Sequence, residues 1–271
     1  MISFINGSFV EQDKAVIPVT DLGLQRGYGV FDFLRVAGNT PLFIEAHIDR
    51  LYRSLEKMRL QIIYSKKELK DIVGELIRKN QLEHSGIRIT ITGGASADGY
   101  TPAEPHIIIA QQAIAAPPPV LRASEYKLIT YAYRRQLPEV KTTDYLMAIW
   151  LQNWINEQGA QDVLYQWDGY ISECPRANIF IVTQNNTLVT PATGILKGIT
   201  RANILSVAKD IVAIEERNIS MEEVYQAKEA FISSSTKRII TVSAVNDMVF
   251  DSYTDNSIAA QLFEKLKELE V

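Results

Sequence analysis

Apolar and polar residues alternate along Ile87-Arg-Ile-Thr-Ile-Thr92, and a second apolar run, His106-Ile-Ile-Ile-Ala110, follows after a loop of Gly, Ala and Ser. A period of two sends successive side chains to opposite faces, so both stretches predict strands. Strands are also expected at the start: residues 2–6 and the Phe9-Val10 pair flank Asn6-Gly7, the dipeptide that favours a tight two-residue hairpin. Val30-Phe-Asp-Phe-Leu-Arg-Val36 is rich in β-formers, and Gly38-Asn39 turns it towards Pro41-Leu-Phe-Ile44, which predicts a second hairpin. Helices are predicted over 45–60 and 65–80. The second opens with a capping box, Ser65 and Glu68, whose side chains satisfy backbone groups left free at a helix start.

Ala113-Ile-Ala-Ala-Pro-Pro-Pro119 changes the pattern: it has few core-forming side chains and three consecutive prolines, which favour an extended spacer. It predicts an N-terminal α/β domain over 1–115, a linker over 116–122 and a larger C-terminal domain over 123–271. In the second half, strands are expected near 126–133, 162–167, 170–173, 178–183, 187–190 and 229–233. Helices are expected at 143–157, from 200, after a second capping box at Ser220 and Glu223, and at 258–269. Strand clusters and helices in both halves make the fold class α/β or α+β, with no fixed-period repeat.

A chain of 271 residues exceeds one usual core, and a hydrophobic content of 46 % can fill two. A net charge of −4 with a pI near 5.5 gives no footprint for nucleic acid, so small molecules or like subunits are the expected partners. Cys174 is the sole cysteine, and the three histidines, His47, His84 and His106, are scattered; neither a disulfide framework nor a metal site is expected. The first residues lack a basic and then apolar leader, and no apolar run approaches a membrane span. The expected setting is the cytoplasm, without contact to a membrane.

Lys141 precedes a predicted helix, and Glu173 follows in Val163-Leu-Tyr-Gln-Trp-Asp-Gly-Tyr-Ile-Ser-Glu173. A lysine and a carboxylate in that order suggest an imine and its electron sink. Gly194-Ile-Leu-Lys-Gly-Ile-Thr-Arg201 runs into a helix start, where backbone N–H groups favour a phosphate. Singly, Lys141 reads as a solvated lysine, Arg50 as half of a surface ion pair, and Ser235 and Thr236 as turn hydroxyls. Together with the runs Gly29-Val-Phe-Asp32 and Arg35, His47-Ile-Asp-Arg-Leu51, Lys141-Thr-Thr-Asp-Tyr-Leu146, Asn178-Ile-Phe180 and Thr190-Pro191, they form an ordered series. That series resembles the class IV aminotransferases of fold type IV, which include branched-chain aminotransferases, D-amino acid aminotransferases and aminodeoxychorismate lyase.

The resemblance implies a two-domain fold with a barrel-like mixed sheet in the C-terminal domain, pyridoxal 5'-phosphate as cofactor, and a homodimer. It implies that Lys141, supplied by the C-terminal domain, bonds to the cofactor and moves the substrate proton, and that Glu173 faces the pyridine nitrogen. Tyr145 matches the tyrosine beside the phenolic oxygen, and Arg50, Gly198, Ile199, Thr200, Ser235 and Thr236 match the phosphate-holding positions. Substrate positions would be Phe31, Phe33, Arg35 and Arg88, with Tyr100 and its loop serving the neighbouring subunit. Branched-chain members carry Phe-x-Gly-x-Arg where this chain has Phe31-Asp-Phe33-Leu-Arg35, so the Phe33 ring is expected to shrink or reshape the pocket. Asp98 stands near an arginine of the D-amino acid branch and disfavours that branch by repelling a carboxylate. The implied reaction is amino transfer from a hydrophobic or branched-chain amino acid to a 2-oxo acid. Glu173-Cys174 and Ala177-Asn178 keep the lyase as the alternative, and a non-catalytic binding protein on the same fold is the third reading.

Overall fold

In a computed structural model, residues 1–250 and 253–270 are described, and they form two compact units. The first comprises Met1–Ala116 together with Val140–Asp144, and the second comprises Pro117–Glu139 and Tyr145–Val271.

The first unit is one six-stranded antiparallel sheet with two long helices on one face. Its strands are β1 (Ile2–Ile5), β2 (Ser8–Glu11), β3 (Gly29–Ala37), β4 (Thr40–Pro41), β5 (His84–Thr92) and β6 (Ile107–Ala113), in the order β2-β1-β6-β5-β3-β4. The Asn6-Gly7 turn sits where the sequence predicts it, with both residues at positive φ. A short helix α1 (Leu22–Arg26) precedes β3, and α2 (Ile44–Lys57) and α3 (Lys66–Asn80) follow it. The α3 capping box is formed as expected from Ser65 and Glu68. Alternation sorts the sheet into two faces. Val30, Leu34, Val36, Ile87, Ile89 and Ile91 pack with Ile48, Leu51, Leu69 and Val73 of the helices in one buried core. Phe31, Phe33, Arg35, Gly86, Arg88 and Thr90 therefore belong to the opposite face.

The edge of β3 not taken by β5 receives Val140–Asp144: the Phe31 N–H donates to the Lys141 carbonyl at 2.9 Å, and the Thr143 N–H to the Gly29 carbonyl at 3.0 Å. Thr143 Oγ1 adds a bond to the Gly27 carbonyl at 2.7 Å. These bonds place Lys141 with the first unit, whereas the sequence reading assigned it to the C-terminal domain. They also keep 141–143 extended, so the predicted 143–157 helix begins later and is broken at Leu151 into α4 (Leu146–Trp150) and α5 (Gln152–Glu157).

The second unit has two mixed sheets. One takes β7 (Lys127–Ala132), β8 (Asp162–Trp167), β9 (Tyr170–Ile171), β14 (Ile219–Ser220), β17 (Ala244–Val245) and β18 (Met248–Val249). The other takes β10 (Glu173–Cys174), β11 (Ala177–Val182), β12 (Thr187–Thr190), β13 (Ala213–Glu216), β15 (Glu229–Ser234) and β16 (Arg238–Thr241). Leu128, Leu164, Ile179, Ile181, Ile232 and Val245 form the core shared by the two sheets. The outer face of the second sheet packs against α6 (Ile199–Ala208) and α8 (Ile258–Glu268), with Phe180 and Phe231 stacked 5.0 Å apart beside Ile204, Leu262 and Phe263. The short α7 (Met221–Tyr225) starts at the predicted Ser220–Glu223 capping box. No helix among the described residues is long and apolar enough to cross a membrane.

Candidate active site

In the first unit the candidate residues fall on both faces of the sheet. On the helix side, Asp32 of β3 is buried against α2, where His47, Arg50 and Ser54 recur at helical spacing on one face. Arg50 donates from Nε to Asp32 Oδ2 and from Nη2 to Oδ1, both at 2.8 Å, and His47 Nδ1 lies 2.7 Å from Oδ1. Burial alone would raise the Asp32 carboxyl, but the Arg50 guanidinium and His47 outweigh it and hold the group well below the usual carboxylate range. Burial pushes the His47 imidazole below its ordinary value; Asp32 opposes that shift, and the charges of Arg50 and Lys141 add to it. The phosphate-type arginine of the sequence reading thus has two donor atoms committed to a buried carboxylate.

On the opposite face Lys141 Nζ stands 4.6 Å from the centroid of the Phe31 ring, and the Arg88 guanidinium carbon stands 4.4 Å from the same centroid. Two cations on one ring, with the buried Arg35 two positions along the strand from Phe33, make this the electropositive face of the unit. It is suited to carboxylates. The Lys141 N–H also lies 3.5 Å from Ser54 Oγ on α2, so the residue's backbone is tied to strand and helix together.

Tyr100 is 84 % exposed in the loop after β5. Asp98 organises that loop: its carboxylate accepts from the Tyr100 and Thr101 N–H groups and from the Ser96 and Thr101 hydroxyls. Those donors hold the carboxyl well below its ordinary range, so Asp98 keeps its negative charge while closing its own turn.

In the second unit Glu173 is buried on β10, paired in register with Asn178 of β11. Its Oε1 accepts from Arg135 Nη1 at 3.0 Å and its Oε2 from the Leu196 N–H at 2.9 Å. Asn178 Nδ2 donates to the Leu196 carbonyl at 2.8 Å and lies 3.4 Å from Glu173 Oε2. The next turn leads into α6, whose N-cap is Gly198 and receives no side-chain cap. A Cβ at Gly198 would lie 2.3 Å from Asn178 Oδ1, so any larger residue here would displace the Asn178 amide from its place beside Glu173. Arg201, in the first turn of the helix, is buried and bonds the Pro191 carbonyl at 2.9 Å and Glu216 at 2.8 Å, which fixes the helix start against β12. Ser233, opposite Asn178 on β15, carries a buried hydroxyl with no hydrogen-bond partner among the described residues.

Ser235 and Thr236 occupy the turn between β15 and β16, and Tyr145 is the half-buried N-cap residue of α4. Cys174 is buried, and burial pushes its thiol well above the ordinary value, which suits a core filler rather than a nucleophile. Sequence reasoning did not single out Arg135, and it quoted Asn178 without a role. The pair Arg134-Arg135 shortly before Lys141 was the only available signal for the first. Nothing local announced the second.

Among known proteins, the model of the amino-transferase class IV family matches residues 29–245. A Methanocaldococcus jannaschii protein named "Putative branched-chain-amino-acid aminotransferase" is 32 % identical, over 98 % of this chain and 95 % of its own length. A D-alanine aminotransferase of Bacillus licheniformis is 26 % identical over 91 % of this chain and 89 % of its own. An aminodeoxychorismate lyase of Bacillus subtilis is 26 % identical over 98 % and 94 %. In structure, a branched-chain amino acid aminotransferase of Escherichia coli superposes with a TM-score of 0.90 at 25 % identity, covering 100 % of this chain and 94 % of that one. With the family model matching residues 29–245, a relative 32 % identical across nearly the whole chain and the fold in agreement, the chain belongs to the class IV aminotransferase family.

Proposed function

We propose that this aminotransferase uses pyridoxal 5'-phosphate to move an amino group from a hydrophobic or branched-chain amino acid to a 2-oxo acid, working as a cytoplasmic homodimer. The observation that carries the reading is Lys141: its backbone is pinned to the edge of β3 and its amine stands over Phe31, on the face that bears Arg35 and Arg88. The chemistry of the donor set fits the cofactor. Glu173 is a buried carboxylate held by an arginine and a backbone N–H, the α6 N-terminus lacks a side-chain cap, and the Ser233 hydroxyl is buried without a partner among the described residues.

In this reading Arg50, Gly198, Ile199, Thr200, Ser235 and Thr236 hold the phosphate, Tyr145 meets the phenolic oxygen and Glu173 the ring nitrogen. When bound, the cofactor supplies an electrophilic carbon and an electron-withdrawing ring. The Lys141 amine would take the proton from the substrate Cα and pass it, within the same half of the exchange, to the cofactor's electrophilic carbon, and in the second half it would carry a proton the opposite way, onto the Cα of the incoming 2-oxo acid. Arg88 and Arg35 bind carboxylate groups of donor and acceptor. The Asp32–His47–Arg50 cluster keeps β3 and α2 in place beneath them.

The test is to load the purified protein with pyridoxal phosphate and follow its visible band while single L- and D-amino acids, and then aminodeoxychorismate, are added. A band lost with leucine or valine and restored by 2-oxoglutarate is the expected result. Pyruvate released from aminodeoxychorismate alone would replace amino transfer by the lyase reaction, and a protein that binds the cofactor but leaves every donor unreacted would overturn both.

A further inference from the structure

We infer that Phe33 and Gly86 form a coupled steric pair that limits the size of the donor side chain. The inference rests on the aminotransferase reading above. Both residues lie on the sheet face that carries Lys141, Arg88 and Phe31. Phe33 is directly opposite Arg88, and Arg35 directly opposite Gly86, so Gly86 is the diagonal neighbour of Phe33. The Phe33 ring crosses that diagonal: a Cβ at Gly86 would lie 2.0 Å from its Cζ, 2.7 Å from Cε2 and 2.9 Å from Cε1. The ring tip thus occupies the space a side chain at residue 86 would need. It is seated on the backbone of β5 and does not stand up from β3.

The seating has a second effect. The Arg88 guanidinium carbon is 5.8 Å from the Phe33 ring centroid as well as 4.4 Å from that of Phe31, so the cation is set between two rings. The surface beside Lys141 is then an aromatic wall with a guanidinium set into it. A carboxylate finds the cation, and an apolar side chain finds the wall. The substrate class is a compact apolar amino acid, with Phe33 setting the upper limit on side-chain size. Residue 86 enters through Phe33 alone, since glycine offers no side-chain atoms to the substrate.

A four-protein cycle tests this: parent, F33A, G86A and the double variant, each loaded with cofactor. The Cβ of G86A meets the far end of a side chain that can swing away, so the fold survives and the ring is displaced over the substrate face. Melting shifts are expected to be non-additive, with G86A costing several degrees in the parent and almost nothing in the F33A background. In kcat/KM, F33A should raise phenylalanine over alanine by about tenfold or more, in the range that one or two methylenes command in an apolar pocket. G86A should lower leucine and phenylalanine against alanine, and F33A should abolish that penalty. Additive melting shifts would overturn the seating of the ring on Gly86. Unchanged donor ratios in F33A would overturn the size limit. A parent that transfers no amino group, even with non-additive melts, would overturn the aminotransferase reading and the specificity role resting on it, while leaving the steric pair itself established.

Discussion

Asp32 and Glu173 are both buried carboxylates facing an arginine, but their partners differ in kind. Asp32 accepts from the Phe33 N–H, from His47 and twice from Arg50, and those two side chains are themselves buried. Its charge is engaged inside the first unit, clamping strand β3 to helix α2. Glu173 accepts from Arg135 and from a backbone N–H of the loop that leads into an uncapped helix N-terminus. That anion is buried too, but one of its donors is a backbone N–H at the entry to α6. A buried acid beside an arginine therefore serves the frame in one unit and the candidate chemistry in the other, and only the identity of the surrounding donors separates the two.

The sharpest way to break that comparison is Asp32→Asn, which leaves Arg50 buried without its counter-charge. It should cost about 3–5 kcal/mol of stability in urea unfolding and, because Asp32 orients the Arg50 assigned above to the phosphate, weaken cofactor affinity, while kcat of the folded, cofactor-saturated protein stays near the parent's. Glu173→Gln should do the reverse: kcat should fall by about 10²–10³-fold, as when a preorganised charge is removed from a site, with a far smaller change in the urea midpoint. A variant pair that lost rate and stability equally would erase the distinction.

Acidity separates the clusters further. The His47 imidazole is held below its ordinary value of 6.5 by burial, so as pH falls through that value the unfolded chain takes up a proton that the folded chain refuses. Stability should then decline with falling pH, by up to about 1.4 kcal/mol per pH unit, and His47→Gln should flatten that decline. Asp32, whose folded value is depressed, adds its own loss only below 3.8, in the acid range where unfolded aspartate protonates. The smallest effect expected is from the two capping boxes: Ser65→Ala and Ser220→Ala should each cost about 1 kcal/mol, one in each unit, which reveals whether the units melt together.

What was legible in the sequence was local. Ser65 and Ser220 announced their helices because the residues that satisfy them are three positions away, and Asn6-Gly7 announced its turn because both members need positive φ. The order of motifs around Lys141 and Glu173 was enough for the family. Hidden features have partners far along the chain: Lys141 reads as a residue leading into a helix until β3 is there to pair with it, and Arg135 has no meaning until Glu173 is beside it. Gly86 looks like an unremarked strand glycine, since its role belongs to the Phe33 ring. The part Asp98 plays in its own turn was also hidden, because an aspartate in a Gly/Ser/Thr loop caps its backbone only once the loop has folded around it.

The Val140–Asp144 segment that joins the first unit also dictates an order of events during synthesis. Translation releases Met1–Ala116 before Val140–Asp144 exists, so for an interval the β3 edge lacks the bonds that Lys141 and Thr143 later make to Phe31 and Gly29. The nascent unit is complete only after the first stretch of its neighbour has followed it out of the ribosome. A fragment ended at Ala116 would keep that sticky edge permanently, and its characteristic failure would be self-association rather than unfolding.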